Sequence, residues 1–513
     1  MDHTFYVTTP IYYVNDIPHI GHAYTTVAAD VLARYHRLKG SNVFFLTGVD
    51  EHGQKVQEAA RERNISPQEH CDEMVVRFQD LWKKFNISND DFIRTTEERH
   101  QTVVQEILTY LYRKGDIYKT SYEGWYCVPD ERFWTEKDLL EGCCPECRRP
   151  VQQIKESNYF FRMSHYQQWL MDYIGTHERF VLPQTRRNEI LGFLKQPLED
   201  LCISRPRKRL SWGIPIPFDG DYVTYVWFDA LINYVSASKY LTDNDRFFPF
   251  WKNAVHLIGK DILTTHCVYW PTMLKAMGLE PPRMVFAHGW WTIDGKKMSK
   301  SLRNTVEPNM LIEHYGVDPI RFFLLREGTF GMDADFSNRA LIHRVNSNLA
   351  NDLGNLFNRS LAMTVKYFKG RIPKHSTFEA IDERLQEKAI QAMKNVDTYM
   401  KDIAFQKSLD SIWELIAMTN KYIDESAPWS LAKDANNQKR LATVIHSVLE
   451  SLRFISILLF PFIPSSAEKM REALGMKEPI NQQTLDDMKT WDRLHEGTAV
   501  TKIPPLFPRI ENK

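Results

Sequence analysis

The sequence predicts an α/β fold, in which a Rossmann-like doubly wound parallel sheet is split by an α+β insertion and followed by an all-α helical bundle. Three observations support this prediction. A strand–helix–strand pattern occupies residues 5–47, short apolar strand segments return between residues 256 and 289, and only helical periodicity remains beyond about residue 346. Parallel neighbouring strands need a crossover connection, and strands that alternate with helices are typical of such a sheet.

The amino end contains one complete strand–helix–strand unit. Residues 5–9 are β-branched or aromatic and predict a buried strand that ends at Pro10. Apolar residues recur at helical spacing over residues 22–39, Gly40 ends that helix, and residues 43–47 predict a second strand. A right-handed crossover would place the two strands side by side and parallel.

The remaining segments differ in pattern from one another. Residues 256–259 and 285–289 predict further strands of the same sheet. A cysteine cluster and a basic run lie in the stretch between the two sets of strands, which we expect to be an insertion. The expected domains are the first half of the sheet domain (1–117), the insertion (118–219), the second half of the sheet domain (220–295), a connecting region (296–345) and the helical bundle (346–513).

Helical periodicity extends through the carboxyl-terminal part. Apolar residues step by three and four from Leu385 to Ile403 and again from Leu441 to Ile455. This spacing is typical of helices that pack one face against an antiparallel bundle. Residues after Pro504 are expected to form an extended tail, either packed on another domain or loose.

The composition restricts the class of protein. Lys+Arg and Asp+Glu both number 65, which excludes a protein that coats nucleic acid through bulk charge. The amino end lacks signal-peptide features, and the nearest apolar run, residues 454–463, is too short to span a bilayer and is broken by Pro461. Seven cysteines is an odd number for a secreted disulfide framework. We therefore expect a cytoplasmic protein with no membrane partner.

One candidate catalytic motif lies at residues 18–22, where the first strand passes into its helix. A helix start at this edge of a doubly wound sheet favours bound phosphate. His19 and His22 could donate hydrogen bonds to phosphate oxygens, and Gly21 lets a ligand approach the backbone. The alternative is that the two histidines merely cap the helix.

A second candidate motif lies at residues 295–301, where Lys297 and Lys300 stand on a glycine-containing loop. Such a loop suits a mobile clamp on polyphosphate. The alternative is a solvated lysine-rich loop. The order of the two motifs around a split sheet favours a joint function.

In these motifs the chain resembles the class I aminoacyl-tRNA synthetases. Residues 18–22 match their HIGH motif, and residues 297–301 are the KMSKS motif without a change. More narrowly, the chain is similar to the bacterial methionyl-tRNA synthetase family over essentially all of its length. The stretches that carry this narrower resemblance are 8–15, 46–53, 225–230 and 257–262.

The resemblance implies a methionine–tRNA ligase. Such an enzyme activates L-methionine with ATP to methionyl-adenylate plus pyrophosphate, and then transfers the methionyl group to the 3′-terminal adenosine of tRNA(Met), initiator and elongator alike. Catalysis is then mainly positioning and charge stabilisation, and Mg²⁺ is expected to arrive with ATP. The residues implied in ATP binding are His19, Gly21, His22, Gly259, Asp261, Lys297 and Lys300, of which His19, His22, Lys297 and Lys300 are the implied catalytic residues.

The same resemblance implies a methionine pocket, in which Asp50 pairs with the substrate ammonium group. A thioether suits an aromatic-lined slot, because a sulfur–aromatic contact is worth ~0.3–1.5 kcal/mol. Tyr13 and His266 are expected to hydrogen-bond weakly to the sulfur. Without the motif context these apolar and aromatic residues would be plain core. The residues expected around the methionine side chain are Ile11, Tyr13, Trp227, Ala230, Leu231, Tyr234, Ile262 and His266.

Four of the seven cysteines lie close together in the insertion, where the family often carries a zinc knuckle of two C-x-x-C pairs. Cys144 and Cys147 form one pair, but Asp130 stands where the pair begun by Cys127 would be completed. A carboxylate can ligate Zn²⁺ at ~2.0–2.2 Å, so we expect one structural Zn²⁺ on these four residues, with Cys143 as an alternative thiolate. The other interpretation is a decayed knuckle that binds no metal.

The helical bundle is expected to read the anticodon, as the family does with an early helix and a later tryptophan. Asn351, Asn355 and Arg359 would share one helical face and could read splayed bases. Trp429 would stack on a base, which is worth ~1–3 kcal/mol. Capping and core packing are the alternative for Asn355 and Trp429. The basic run at 205–209 could contact the acceptor stem, but a solvated run is the favoured interpretation.

Two other functional classes stay open at this point. One is another enzyme with a HIGH motif, such as a synthetase for leucine, isoleucine, valine or cysteine, or a small nucleotidyltransferase. The other is a catalytically silent RNA-binding relative. The branched-chain synthetases carry a much larger editing insertion, and two intact signature motifs argue against a silent protein. Because the chain ends at Lys513, without the extra dimerisation module of some relatives, we expect a monomer.

Overall fold

The structure is a computed structural model that describes residues 4–15, 17–127, 132–134, 136–145, 147–293, 295–297, 306–478 and 485–511. Two of the candidate site residues, Lys300 and Asp130, lie outside the described residues, and so does the side chain of Lys297.

Within the described residues, the centre of the protein is a six-stranded sheet whose strands all pair in parallel. This confirms the predicted fold class. The order across the sheet is β3-β2-β1-β5-β6-β4, and it reverses between β1 and β5, where a doubly wound sheet opens a crevice. The strands are Thr4–Tyr13 (β1), Asn42–Asp50 (β2), Asp91–Arg94 (β3), Val181–Leu182 (β4), Ala254–Gly259 (β5) and Met284–His288 (β6).

The first strand is longer than the sequence indicates. It continues through Pro10 to Tyr13, so the prediction that it ends at Pro10 is wrong. The pairing of β1 with β2 shifts register between Thr8 and Ile11, and this irregularity accommodates a residue that has no N–H to donate. The extension carries Ile11 and Tyr13 to the edge of the sheet where the crevice opens.

The crossover helix Ile20–Leu38 follows β1 and is buried along most of its length. A capping box starts it: the His19 ring accepts the N–H of Gly21, and the His22 ring accepts the N–H of His19. Gly40, with a φ of 76°, follows its end in the left-handed conformation that glycine adopts at little cost. Within the described residues, the other α-helices before the bundle are Gln54–Glu62, Pro67–Lys84, Glu98–Lys114, Gln167–Thr176, Gln184–Phe193, Val226–Leu231, Asn233–Ser236, Asn244–Trp251, Trp270–Met277, Pro308–Tyr315 and Val317–Arg326, and Thr265–Tyr269 is a π-helix.

The insertion consists mainly of small antiparallel sheets. Its segment Val181–Leu182, however, is β4 of the central sheet and pairs with β6, so the chain returns to that sheet inside the range expected for the insertion. One small sheet contains Arg132–Trp134, Ile117–Cys127, Gln152–Phe161 and Leu201–Cys202. A second contains Pro215–Ile216, Asp219–Thr224 and Ser204–Pro206. A third, which lies outside the insertion, contains Lys296–Lys297, Trp291–Ile293 and Ala334–Asp335.

The basic run at 205–209 is only partly solvated. Arg205 is 4% exposed, and its guanidinium lies 4.4 Å from the ring centre of Tyr225 and 5.4 Å from that of Tyr126. The solvated interpretation is therefore wrong for Arg205, because a weakly hydrated guanidinium can be buried against aromatic faces. Arg207 and Lys208 are exposed.

The carboxyl-terminal part is a helical bundle, as predicted. Helix Gln438–Leu459 is buried on every side from Leu441 onward and forms its centre. In the described part of the chain, one helical segment, Ala435–Leu459, is long and apolar enough to cross a membrane, although the sequence predicted none. The apolar stretch of this segment is wholly buried inside the protein. The helices are Asn338–Arg344, Val345–Gly354 (a π-helix), Asn355–Phe368, Ala380–Lys401, Phe405–Ser426, Pro428–Leu431, Gln438–Leu459 and Pro464–Ala473.

The carboxyl-terminal tail packs on the start of the bundle. The backbone N–H of Ile510 donates to Asn346 Oδ1, and Asn346 Nδ2 donates to the Ile510 carbonyl, both at 2.9 Å. Arg509 donates to the Asn351 side chain. The tail is therefore packed and not loose, but these contacts are with the bundle itself and not with another domain.

A buried arginine joins the sheet domain to the bundle. Arg321 is fully buried, and its Nη2 donates to Asp30 Oδ2 at 2.6 Å and to the Pro461 carbonyl at 2.9 Å. Its Nε and Nη1 donate to the carbonyls of Phe462 and Phe85, each at 3.0 Å. One side chain thus bonds the crossover helix, the segment after helix Pro67–Lys84 and the end of the central bundle helix.

Candidate active site

A cavity of about 380 Å³ opens at the carboxyl ends of β1, β2, β5 and β6, at the switch point of the sheet. All nine residues expected to bind methionine line it, as do His19, Gly21, His22, Gly259 and Asp261. The structure therefore brings these side chains together, while their individual roles stay predictions. Residues that line the cavity and that the sequence analysis did not single out are Pro10, Tyr12, Tyr24, Thr25, Asn233, His288, Gly289, Trp290 and Trp291.

His19 and His22 lie at one side of the cavity with their rings stacked, 3.8 Å between centroids. Both cap the helix through Nδ1 as acceptor, so the ring proton of each lies on Nε2. Burial, together with the neighbouring His19, lowers the pKa of His22 well below its usual range, and the ring is uncharged at neutral pH. A Cβ on Gly21 would lie 2.9 Å from His19 Cε1. The capping alternative is thus real, and it engages Nδ1 of each ring and not Nε2.

Another part of the lining combines one carboxylate with apolar residues. Asp50 ends β2 and is 2% exposed. Helix Val226–Leu231 supplies Trp227, Ala230 and Leu231 to the lining. A carboxylate beside apolar walls matches a small molecule that has one cationic and one apolar end.

The His266 ring already has two hydrogen-bond partners. Its Nδ1 lies 3.0 Å from the Ile262 carbonyl and must therefore carry the proton, while Nε2 accepts from Tyr234 Oη at 2.8 Å. Burial lowers the pKa of His266 to about 4, which keeps the ring uncharged. In this arrangement neither ring nitrogen offers a further N–H, so the expected hydrogen bond from His266 to the substrate sulfur stays a prediction that needs another arrangement of the ring.

A buried carboxylate, Asp229, lies beside the residues expected to bind methionine, and no sequence pattern indicated it. Asp229 Oδ2 lies 2.6 Å from His52 Nδ1, and Oδ1 lies 2.7 Å from His100 Nε2. His52 follows Asp50 by two residues, and Asp229 stands on the helix of Trp227. Both residues lie in stretches that carried the family resemblance, and that resemblance was the available signal for them. Nothing in the sequence indicated that they pair across 177 residues.

The part of the cavity beyond β5 is polar. Asp261 Oδ1 lies 2.5 Å from where a Cβ on Gly259 would stand, so a side chain at this position would displace the Asp261 carboxylate. Trp290 Nε1 donates to Asp261 Oδ1 at 3.3 Å, and Lys260 Nζ lies 4.2 Å from the centre of the Trp290 ring. An aromatic ring beside a carboxylate suits a nucleoside, with the base near the ring and the ribose hydroxyls on the carboxylate.

Three of the clustered cysteines meet in the insertion. The sulfur atoms of Cys127, Cys144 and Cys147 lie within 4.8 Å of one another, and 3.4 Å separates Cys127 from Cys147. This spacing is too long for a disulfide and fits thiolates that share one metal ion. Asp130, the expected fourth ligand, lies outside the described residues.

The expected anticodon residues line a groove of about 500 Å³ in the bundle. Asn351, Asn355 and Arg359 all face it, although Asn351 lies in the π-helix and not on the ideal α-helical face that the spacing predicts. Arg359 Nη2 donates to Asn420 Oδ1 at 2.8 Å, so the guanidinium is held by the facing helix. Trp429 does not line the groove but is 46% exposed, which argues against the core alternative.

Family models match almost the whole chain. Residues 5–154 and 149–361 match the model described as tRNA synthetases class I (M). Residues 372–513 match the model of the anticodon binding domain of methionyl tRNA ligase.

Individual relatives match along the full length. The methionine–tRNA ligase of Caldanaerobacter subterraneus subsp. tengcongensis is 52% identical over 100% of this chain and 80% of its own length. That of Clostridium tetani is 50% identical over 99% of this chain and 79% of its own length. The solved structure of Mycobacterium tuberculosis methionyl-tRNA synthetase in complex with methionyl-adenylate has a TM-score of 0.93 and 39% identity, and covers 99% of this chain and 100% of that chain.

Proposed function

The chain belongs to the methionyl-tRNA synthetase family of the class I tRNA synthetases, and from this premise we propose a role for each group of site residues. It is an ATP-dependent ligase that converts L-methionine and ATP to methionyl-adenylate and pyrophosphate and then transfers the methionyl group to tRNA(Met). The observation that carries the assignment of residues is the single cavity in which the HIGH histidines, a buried carboxylate and an aromatic slot meet.

In the first step, Asp50 holds the methionine ammonium group, and Trp227, Tyr234 and their neighbours enclose the side chain. The substrate carboxylate then attacks the α-phosphate of ATP in line, and pyrophosphate leaves. The Nε2–H groups of His19 and His22 donate to the phosphate oxygens as negative charge builds. No protein nucleophile is required, because the amino acid supplies the attacking oxygen.

The nucleoside is assigned to the polar side of the cavity. The Asp261 carboxylate accepts from the ribose hydroxyls, and Gly259 leaves room for them. Lys297 and Lys300 close on the phosphates by analogy with the KMSKS motif. With Asp50 and Asp261 assigned to substrate groups, Mg²⁺ fits best as an ion that enters on the ATP phosphates and neutralises their charge.

The direct test is ATP–pyrophosphate exchange with each of the twenty amino acids in turn. We expect exchange that depends on methionine. Exchange with leucine and not with methionine would contradict the assignment of the pocket. Absence of exchange with every amino acid would favour a silent RNA-binding relative, an alternative that the comparisons do not favour.

The cysteine cluster is proposed to hold one structural Zn²⁺ through Cys127, Cys144, Cys147 and Asp130. We expect protein purified without chelator to retain about one zinc per chain by elemental analysis, and Cys147→Ser to lose it, because thiolates bind structural Zn²⁺ with ~10–16 kcal/mol. Cys143→Ser is the matched control and should keep the metal. Zinc loss in Cys143→Ser and not in Cys147→Ser would show that the ligand set is wrong, and metal-free wild-type protein would support the decayed knuckle.

Trp429 is proposed to stack on an anticodon base. Trp429→Ala is expected to raise KM for tRNA(Met) by about 5- to 150-fold, which corresponds to ~1–3 kcal/mol of stacking, and to leave methionine-dependent exchange unchanged. Aminoacylation kinetics measure this effect. Phe248→Ala, at an equally exposed aromatic residue of the sheet domain, is the control. An unchanged KM in Trp429→Ala would remove the tryptophan from the tRNA interface.

A further inference from the structure

A second group of potential metal ligands lies in the bundle, away from the cysteine cluster. His375 precedes helix Ala380–Lys401, His446 lies in the middle of helix Gln438–Leu459, and Asp492 lies in the segment that follows residues 485–488. One ligand atom from each of these residues lies within 4.8 Å of the others. Three segments that are distant in the sequence therefore direct nitrogen and oxygen donors at one point.

The two imidazoles are held in the orientation that metal ligands adopt. His375 Nδ1 donates to the Ser376 carbonyl at 2.9 Å, and His446 Nδ1 donates to the Pro373 carbonyl at 3.2 Å. A carbonyl can only accept, so each Nδ1 carries a proton and each Nε2 is directed toward Asp492. A backbone carbonyl on the second nitrogen is the common outer-shell partner of a metal-bound histidine.

Both histidines lie close to Asp492, but only one of the two contacts is a hydrogen bond. His375 Nε2 lies 2.9 Å from Oδ2, and His446 Nε2 lies 2.8 Å from Oδ1. The second contact is an ion-pair distance without hydrogen-bond alignment, so the buried Nε2 of His446 makes no hydrogen bond. The His446 side chain is 3% exposed. The direction from which this buried nitrogen approaches the carboxylate does not suit a hydrogen bond. Such an approach fits a cation shared by the two groups better.

We propose that His375, His446 and Asp492 bind one divalent transition-metal ion of the Zn²⁺ type. Imidazole nitrogen and carboxylate oxygen are ligands that Zn²⁺ accepts at ~2.0–2.2 Å, and two ligands at such distances stand roughly 3 Å apart, as each histidine Nε2 does from the nearer Asp492 oxygen. Asp492 is 43% exposed, which gives the ion access to solvent and leaves a position for water. Its φ of 69° is a left-handed conformation that aspartate tolerates better than most residues.

The bound ion would act as a structural cross-link in the anticodon-binding region. It would tie the segment before helix Ala380–Lys401 and the segment around Asp492 to the central bundle helix. Because a metal that binds only the folded state stabilises it by mass action, the expected consequence is a melting temperature that rises with Zn²⁺ concentration. The site contains no residue of the active-site cavity, so the chemistry of adenylate formation does not depend on it.

The test is Zn²⁺ binding to the full chain, measured as bound equivalents after equilibrium dialysis and as the Zn²⁺-dependent shift in melting temperature. Asp492→Asn keeps the shape and tolerates the same backbone conformation but removes the anionic ligand. We expect it to bind one equivalent less than wild-type protein, to lose that part of the shift in melting temperature, and to keep methionine-dependent exchange. His375→Ala, at a partly exposed ring, should behave in the same way.

Two control variants separate this site from other zinc binding. Cys147→Ser should remove only the thiolate equivalent and keep the one that Asp492→Asn loses. His165→Ala, at an exposed histidine of the insertion, should change neither quantity. If Asp492→Asn and His375→Ala bind as many equivalents as wild-type protein, the three side chains form a metal-free ion-pair cluster and the proposal is overturned.

Discussion

Asp50→Asn is expected to abolish methionine-dependent ATP–pyrophosphate exchange and to leave ATP binding in place. The carboxylate is buried at the end of β2 and faces the cavity, so the amide that replaces it cannot neutralise the substrate ammonium group. Loss of one partner of a buried ion pair costs ~3–5 kcal/mol, which corresponds to about 150- to 5,000-fold in kcat/KM for methionine. Exchange kinetics and direct ATP-binding measurements check both parts.

Asp50→Ala should show the same loss of exchange, which separates the missing charge from any effect of the new amide. Asp261→Asn is the informative contrast, because the proposed role of Asp261 is on the ribose. That variant should weaken ATP binding and change KM for methionine little. Wild-type exchange in either Asp50 variant would refute the role assigned to this carboxylate.

The largest effect on stability is expected from Arg321→Met. The substitution removes four hydrogen bonds, one of which is the ion pair to Asp30, and it leaves the Asp30 carboxylate buried with Arg34 as its remaining charged partner. We expect the free energy of unfolding to fall by ~3–5 kcal/mol, as when one partner of a buried pair is removed. Denaturant unfolding followed by circular dichroism measures the change.

Arg179→Met provides the matched control. Arg179 also joins the sheet side of the molecule to the bundle, through Asp402, but both side chains of that pair are more than half exposed. Exposed pairs contribute ~0–1 kcal/mol, so this variant should unfold almost as wild-type protein does. Equal destabilisation by the two substitutions would show that burial of Arg321 is not what matters.

The same ion pair predicts a pH dependence. Burial by itself would raise the pKa of Asp30, but Arg34 and Arg321 lower it to about 2. Because the pKa in the folded state is below that of an unfolded aspartate, the contribution of Asp30 to stability is complete above pH ~4 and is lost as the pH falls toward 2. Arg321→Met should reduce this acid-dependent loss, and an unchanged acid profile would contradict the assignment.

Local patterns predicted the parts of the fold that depend on local physics. Residues 5–9 and 43–47 lie in paired parallel strands, and residues 22–39 lie within or next to helix Ile20–Leu38, because burial and periodicity act within a few residues. The series from Leu441 to Ile455 marked the central bundle helix for the same reason. Individual site residues such as Ile11 or Ala230 could not be distinguished from core by pattern alone, and only the family resemblance selected them.

The sequence by itself determined the fold class, the family and the place of the HIGH motif at the start of the crossover helix. Only the tertiary structure decided that β1 continues through Pro10, that Val181–Leu182 joins the central sheet, and that Arg205 is buried between aromatic rings. It also decided which distant groups meet, as Asp229 does with His52, and His446 with Asp492. The physical reason is range: helix and strand signals arise between near neighbours in the sequence, whereas burial of charge and convergence of ligands depend on how separate segments pack.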